Sequence, residues 1–258
     1  MSTYLITGAS SGIGAACAKK LSDAGHNLVL VARDEEKLRK YTNSLGKNDF
    51  YFAYDLEDMH NIRSIFEFCK MKNLKLDGMI YSAGINADVP LKVCTTEMFE
   101  KVMRVNCIAF AEMGKYFYNK NYSNEYSRIV AISSSASITC DKGMGPYSAS
   151  KAALNSIVKT MSKEFIRRGI LVNAILPAGV LTPMAATKIE AFTGNKLDIE
   201  NMIKNIESNN ICVNEKDDQP LGIITPNNIA DIVYYLVSSN NRYVTGALLP
   251  ISAGRNIY

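Results

Sequence analysis

The sequence contains no tryptophan and only two histidines, His26 and His60, in 258 residues. Its six cysteines, Cys17, Cys69, Cys94, Cys107, Cys140 and Cys212, are scattered and form no C-x-x-C pair. Recurring zinc-ligand spacings and a disulfide framework are therefore not expected, and no metal is assigned. Reduced cysteines serving as small hydrophobes fit a cytoplasmic protein. No apolar run approaches the roughly 18 residues of a membrane helix, and no basic region with a long apolar stretch precedes Tyr4-Leu5-Ile6. Neither a membrane partner nor a secretory leader is expected. The net charge of +4 arises from Lys and Arg spread along the chain, without the basic block that marks a nucleic-acid surface.

With 47% hydrophobic and 21% charged residues, the chain is long and apolar enough to bury a large core. An α/β chain of this length commonly folds as one unit, so a single domain over residues 1–258 is expected. Short aliphatic and β-branched runs alternate with longer segments of helical period. That alternation is the signature of βαβ units around a parallel sheet. Strands are expected at 4–7, 27–32, 50–53, 78–82, 128–133, 171–176 and 248–250, with helices beginning near Gly12, Asp34, Met59, Thr96, Tyr147 and Asn227. Seven strands threaded so give a Rossmann-type doubly wound sheet with ligands at the C-terminal strand edge. Residues 183–221 break the rhythm with two weakly helical stretches and a polar run. A connection that long reads as a substrate loop or lid.

Directly after the first expected strand comes Thr7-Gly8-Ala9-Ser10-Ser11-Gly12-Ile13-Gly14, with an amphipathic helix starting inside it. Glycines let backbone approach a pyrophosphate, and a helix N-terminus offers unpaired N–H groups at a positive dipole end. The spacing Gly-x-x-x-Gly-x-Gly in this position points to a dinucleotide site. The second strand ends Ala32-Arg33-Asp34. Its tip faces the adenine ribose in such folds, where Ala32 supplies no carboxylate for a 2′-hydroxyl and Arg33 suits a 2′-phosphate. NADP(H) is thereby favoured over NAD(H). The opposing possibility is that Arg33 pairs with Asp34 or Glu36 at the surface.

Downstream, a strand ending Ser133-Ser134-Ser135 is followed by Tyr147-Ser148-Ala149-Ser150-Lys151. Tyr147 and Lys151 stand four apart at a helix start and project from one face. A phenol titrates near 10, and a neighbouring ammonium is expected to lower that value enough for proton transfer near neutrality. A hydroxyl from the serine turn would hydrogen-bond the reacting oxygen.

In this order and over essentially the whole chain, these motifs resemble the short-chain dehydrogenase/reductase family. The resemblance implies an oxidoreductase that interconverts a ketone or aldehyde and an alcohol. It implies Tyr147 as acid/base, Ser134 as the serine of the site, Lys151 also holding the nicotinamide ribose, and Asn106 positioning water in a proton relay. It implies adenine contacts at Asp55 and Leu56, further cofactor contacts at Ser82, Ala83 and Gly84, and nicotinamide contacts at Pro177, Val180 and Thr182. A homodimer or homotetramer follows from the same likeness. Three departures stand out: Ser82 for an asparagine, Ala178 for a glycine, and Ser252-Ala253-Gly254 for Asp-Gly-Gly.

Within the family a 3-oxoacyl-[acyl-carrier-protein] reductase ranks second, because residues 136–146 do not closely match that subgroup. A module that binds NADP(H) without turnover is the reading from another class. Retention of Asn106, Ser134, Tyr147 and Lys151 together argues against it.

Overall fold

The computed structural model describes residues 1–46, 49–209, 213–214, 216–238 and 240–255, apart from the side chains of 188, 189, 191 and 192. Cys212 and part of the polar run after it lie outside the described residues. The elements run β1 (Thr3–Thr7), α1 (Gly12–Asp23), β2 (Asn27–Ala32), α2 (Glu35–Asn43), β3 (Phe50–Ala53), α3 (Arg63–Met71), β4 (Leu76–Tyr81), α4 (Thr96–Met103), α5 (Ala109–Phe117), β5 (Ser123–Ile132), α6 (Ala136–Thr139), α7 (Gly145–Glu164), β6 (Leu171–Pro177), α8 (Pro183–Thr193), α9 (Ile199–Ser208), α10 (Pro226–Val237) and β7 (Leu248–Ile251). All strand pairs are parallel, in the order β3-β2-β1-β4-β5-β6-β7. The order reverses between β1 and β4, which opens a crevice at their C-terminal ends.

Alternation of side chains along near-continuous apolar strands divides the core between the two sheet faces. Leu5, Val29, Met79 and Ile129 meet Phe66, Phe110, Met113, Leu154 and Val158 from α3, α5 and α7. Their strand neighbours Ile6, Leu28, Leu30, Ile80 and Val130 meet Cys17, Leu21, Leu38, Ile229 and Val233 from α1, α2 and α10. Cys17, Cys69 and Cys107 are buried, Cys94 is partly covered and Cys140 is exposed; all five are free thiols.

The helix expected near Met59 begins at Arg63, after two Asx turns in which the Asp55 and Asp58 carboxylates accept from Glu57 and His60 N–H. The segment expected as one helix from Thr96 is broken by a π-turn over Arg104–Ile108 before α5 starts. The buried Tyr81 hydroxyl donates to the Val105 carbonyl, which pins that turn beside β4. Residues 183–221 do carry two helices, α8 and α9, each N-capped by a side chain, Thr182 and Asp198. In the tail, Ala253 adopts φ +51, a left-handed conformation that glycine tolerates better.

Candidate active site

A cleft of about 630 Å³ opens along the C-terminal strand edge at the reversal point. Its floor is the turn after β1. Gly8 has φ +63, and a β-carbon there would come within 2.9 Å of the Ser82 and Ala83 main chain. The Thr7 hydroxyl accepts from Ser82 N at 3.2 Å and Ala83 N at 3.1 Å, closing the β1 and β4 turns on each other. Serine at 82 is accommodated because this brace uses its main chain. A β-carbon on Gly14 would overlap the Gly8 carbonyl, so Gly14 lets α1 seat under the turn and does not line the cleft. Ser11, the N-cap of α1, makes no side-chain capping bond, so the first-turn N–H groups beside Ser10, Gly12 and Ile13 face the cleft. That cradle fits a pyrophosphate.

At the β2 end, Arg33, Asp55 and Leu56 line the wall together with Lys37 and Tyr54. Asp34 caps α2 through Lys37 N at 2.9 Å, and Glu36 pairs with Lys40 at 2.7 Å. The two carboxylates that could have claimed Arg33 thus have other partners. Lys37, in the first turn of α2, lines the same wall and adds a second cation.

At the β5 end, Ser134, Tyr147 and Lys151 line the same cleft. Pro146 in the first turn of α7 favours a helix start at Gly145, ahead of Tyr147. The serine turn sorts itself by burial. All three serines line the cleft, but Ser133 and Ser135 are 3% exposed, whereas Ser134 is the more accessible one and lies near enough to the Tyr147 phenol to pull its proton affinity down. Lys151 Nζ donates to the Ile132 carbonyl at 2.8 Å and sits 5.7 Å from the Tyr147 ring centroid. Burial holds the lysine down at about 8 and pushes the tyrosine above its ordinary value, with Ser134 pulling down and Asp88 pushing up. The expectation that Lys151 lowers the Tyr147 value is therefore corrected. The ammonium lies over the ring, bonded to a carbonyl, and loss of water outweighs its field. A phenol that holds its proton is a competent donor to a carbonyl oxygen.

Asn106 is fully buried in the π-turn and does not line the cleft. Its Oδ1 accepts from Ile85 N at 2.8 Å, and its Nδ2 donates to the Ile85 carbonyl and to Ser150 Oγ, both at 2.9 Å. Its amide braces the segment after Gly84, and a water relay through that amide would need one of these bonds to break. Pro177, Val180 and Thr182 line the far wall. Asn86, Asp141, Met144, Met184 and Arg255 also line the cleft, although no motif in the sequence marks them. Arg255 lies in the tail, and only folding brings it against Asp141 at 3.1 Å. Among the described residues, no cluster of three or more His, Cys, Asp or Glu could hold a metal, and no helix is long and apolar enough to cross a membrane.

A family model described as short chain dehydrogenase matches residues 2–192. The chain is 31% identical over 253 residues to the 3-oxoacyl-[acyl-carrier-protein] reductase FabG of Rickettsia prowazekii (strain Madrid E), covering 98% of this chain and 95% of that one. It is 30% identical over 257 residues to the acetoacetyl-CoA reductase of Acinetobacter sp. (strain RA3849), covering 97% and 96%. Among solved structures, an actinorhodin polyketide ketoreductase variant with NADPH superposes with a TM-score of 0.85 at 26% identity, covering 100% of this chain and 98% of that one. Sequence, sheet order and cleft thus agree, and the chain belongs to the short-chain dehydrogenase/reductase family of oxidoreductases.

Proposed function

We propose that the protein is an NADP(H)-dependent oxidoreductase that interconverts a carbonyl and an alcohol, with Tyr147 as the acid/base. The observation that carries this reading is one cleft that joins a phosphate cradle at Gly8 to Ile13 with the side chains of Ser134, Tyr147 and Lys151. A bound dihydronicotinamide dinucleotide supplies the hydride. The protein's own part is to hold the pyrophosphate on the first turn of α1 and to set Arg33 and Lys37 toward a 2′-phosphate. Ser134 orients the carbonyl oxygen, and Tyr147 Oη delivers the proton to it.

The names of the two relatives favour 3-oxoacyl thioesters as the substrate class. We further propose a cytoplasmic homodimer or homotetramer. The free thiols support the first part, and the half-exposed Met98 at the start of α4 and Ile108 just before α5 support the second.

A carbonyl panel containing acetoacetyl-CoA, simple ketones and aldehydes, assayed with NADPH and NADH by absorbance, tests the reading. Acetoacetyl-CoA with NADPH should turn over fastest. Tight NADPH binding with no turnover of any member would instead favour a binding module. A monomer by light scattering at micromolar concentration would remove the assembly.

A further inference from the structure

Residues 217–222 lie outside every element, yet they are fastened on several sides. Gly179 N donates to the Gln219 Oε1 at 2.5 Å, and Gln219 Nε2 donates to the Gly179 carbonyl at 3.2 Å and to the Gly222 carbonyl at 3.1 Å. One side-chain amide thus grips both main-chain groups of a single residue, which orients the two peptide planes that flank Gly179 as a strand partner would. Gly179 sits in the loop after β6 whose Pro177, Ala178, Val180 and Thr182 form the cleft wall. Next to it in sequence, Asp218 accepts from Arg255 Nε at 3.2 Å, and Arg255 also holds Asp141 on the β5 side of the cleft at 3.1 Å. Leu221 N donates to the Ala253 carbonyl at 3.0 Å and ties the same strap to the tail.

We propose that Gln219 is a positioning residue: its amide holds the Gly179 loop in the shape that closes the cleft over the nicotinamide end of the cofactor. The inference rests on the reading of this cleft as an NADP(H) and carbonyl site. Gln219 touches neither reacting group; it acts through the Gly179 peptide, while the adjacent Asp218–Arg255–Asp141 chain joins that wall to the opposite one.

Gly179 itself supplies the test. Its backbone is not in the left-handed region, so alanine is conformationally allowed there, but a β-carbon would overlap the Gln219 Oε1. Gly179→Ala therefore evicts the amide and reproduces the loss of Gln219 from the other side. In Gln219→Ala, Gly179→Ala and the double variant, NADPH affinity by fluorescence titration and steady-state kinetics are compared with thermal unfolding. Each single variant should raise the NADPH dissociation constant on the order of fivefold or more, because cofactor binding must then order a loop that the lost amide hydrogen bonds had preorganised. The double variant should be no weaker than the worse single one, because both remove the same interaction. Unfolding midpoints should fall by no more than about 2 to 4 °C, so that the fold stays intact.

Gln219→Glu keeps one acceptor but sets a carboxylate against the Gly179 and Gly222 carbonyls, so it should behave like Gln219→Ala. Unchanged affinity in both single variants, or effects that multiply in the double variant, would overturn the proposal while leaving the cofactor reading intact. Failure of the wild type to bind NADPH would overturn both.

Discussion

Lys151 is 3% exposed, with its ammonium on a carbonyl and held down at about 8 from an ordinary 10.5. Below pH 8 the folded protein therefore carries a buried charge that the unfolded chain keeps in water. At about 1.4 kcal/mol per tenfold change in proton affinity, the penalty is about 3 kcal/mol at neutral pH. Between pH 8 and 10.5 the unfolded chain binds the extra proton, so Lys151 makes stability rise with pH across that window. Raising the pH from 7 to 9 recovers about 1 kcal/mol, equivalent to about 2 to 4 °C in the unfolding midpoint of a chain this size. Lys151→Met keeps the length and removes the titration. Tyr147, pushed upward by burial, remains in both proteins and cancels in the difference, and Cys107 is pushed upward chiefly by burial, with Lys151 pulling it down by a lesser amount. Thermal scans of ligand-free wild type and Lys151→Met at pH 7 and 9 should thus show the wild type gaining on the variant by that amount. A difference that stays constant to within about 1 °C would mean that the lysine is hydrated or paired, and that burial does not dominate its chemistry.

Tyr147→Phe removes one hydroxyl and leaves the phosphate cradle whole, so NADPH affinity should persist while the reduction rate falls about 10²- to 10⁴-fold; wild-type turnover would refute the acid/base assignment. Arg33→Ala should raise the KM for NADPH by on the order of five- to thirtyfold and leave that for NADH nearly unchanged, the lower end reflecting the exposure of the site. Equal effects on the two cofactors would return Arg33 to the solvated surface. Gly8→Ala meets backbone, which cannot step aside, and a φ of +63, so urea unfolding should show a loss of about 2 to 5 kcal/mol. A loss under about 1 kcal/mol would show that the β1 and β4 turns are not locked together as described.

The sequence by itself determined the fold class and much of the cleft. Strands such as Asn27–Ala32 are apolar on both faces, and that pattern, alternating with helical periods, admits little besides a covered parallel sheet. The Gly8 to Gly14 spacing and the four-residue step from Tyr147 to Lys151 are local, so helical geometry alone dictates which of these side chains share a face. What tertiary structure alone decided depends on contacts between distant segments. The resemblance already pointed to Ser134, but only the packing of the turn buries Ser133 and Ser135 and leaves Ser134 the more accessible. Asn106 became a brace because the π-turn delivers it to Ile85 and Ser150. The Tyr147 shift runs upward because burial, a property of the surrounding shell, outweighs the lowering expected from the neighbour four residues away. Arg255 and Gln219 carry no motif, and they reach the cleft wall only because the tail and the segment after α9 fold back across it.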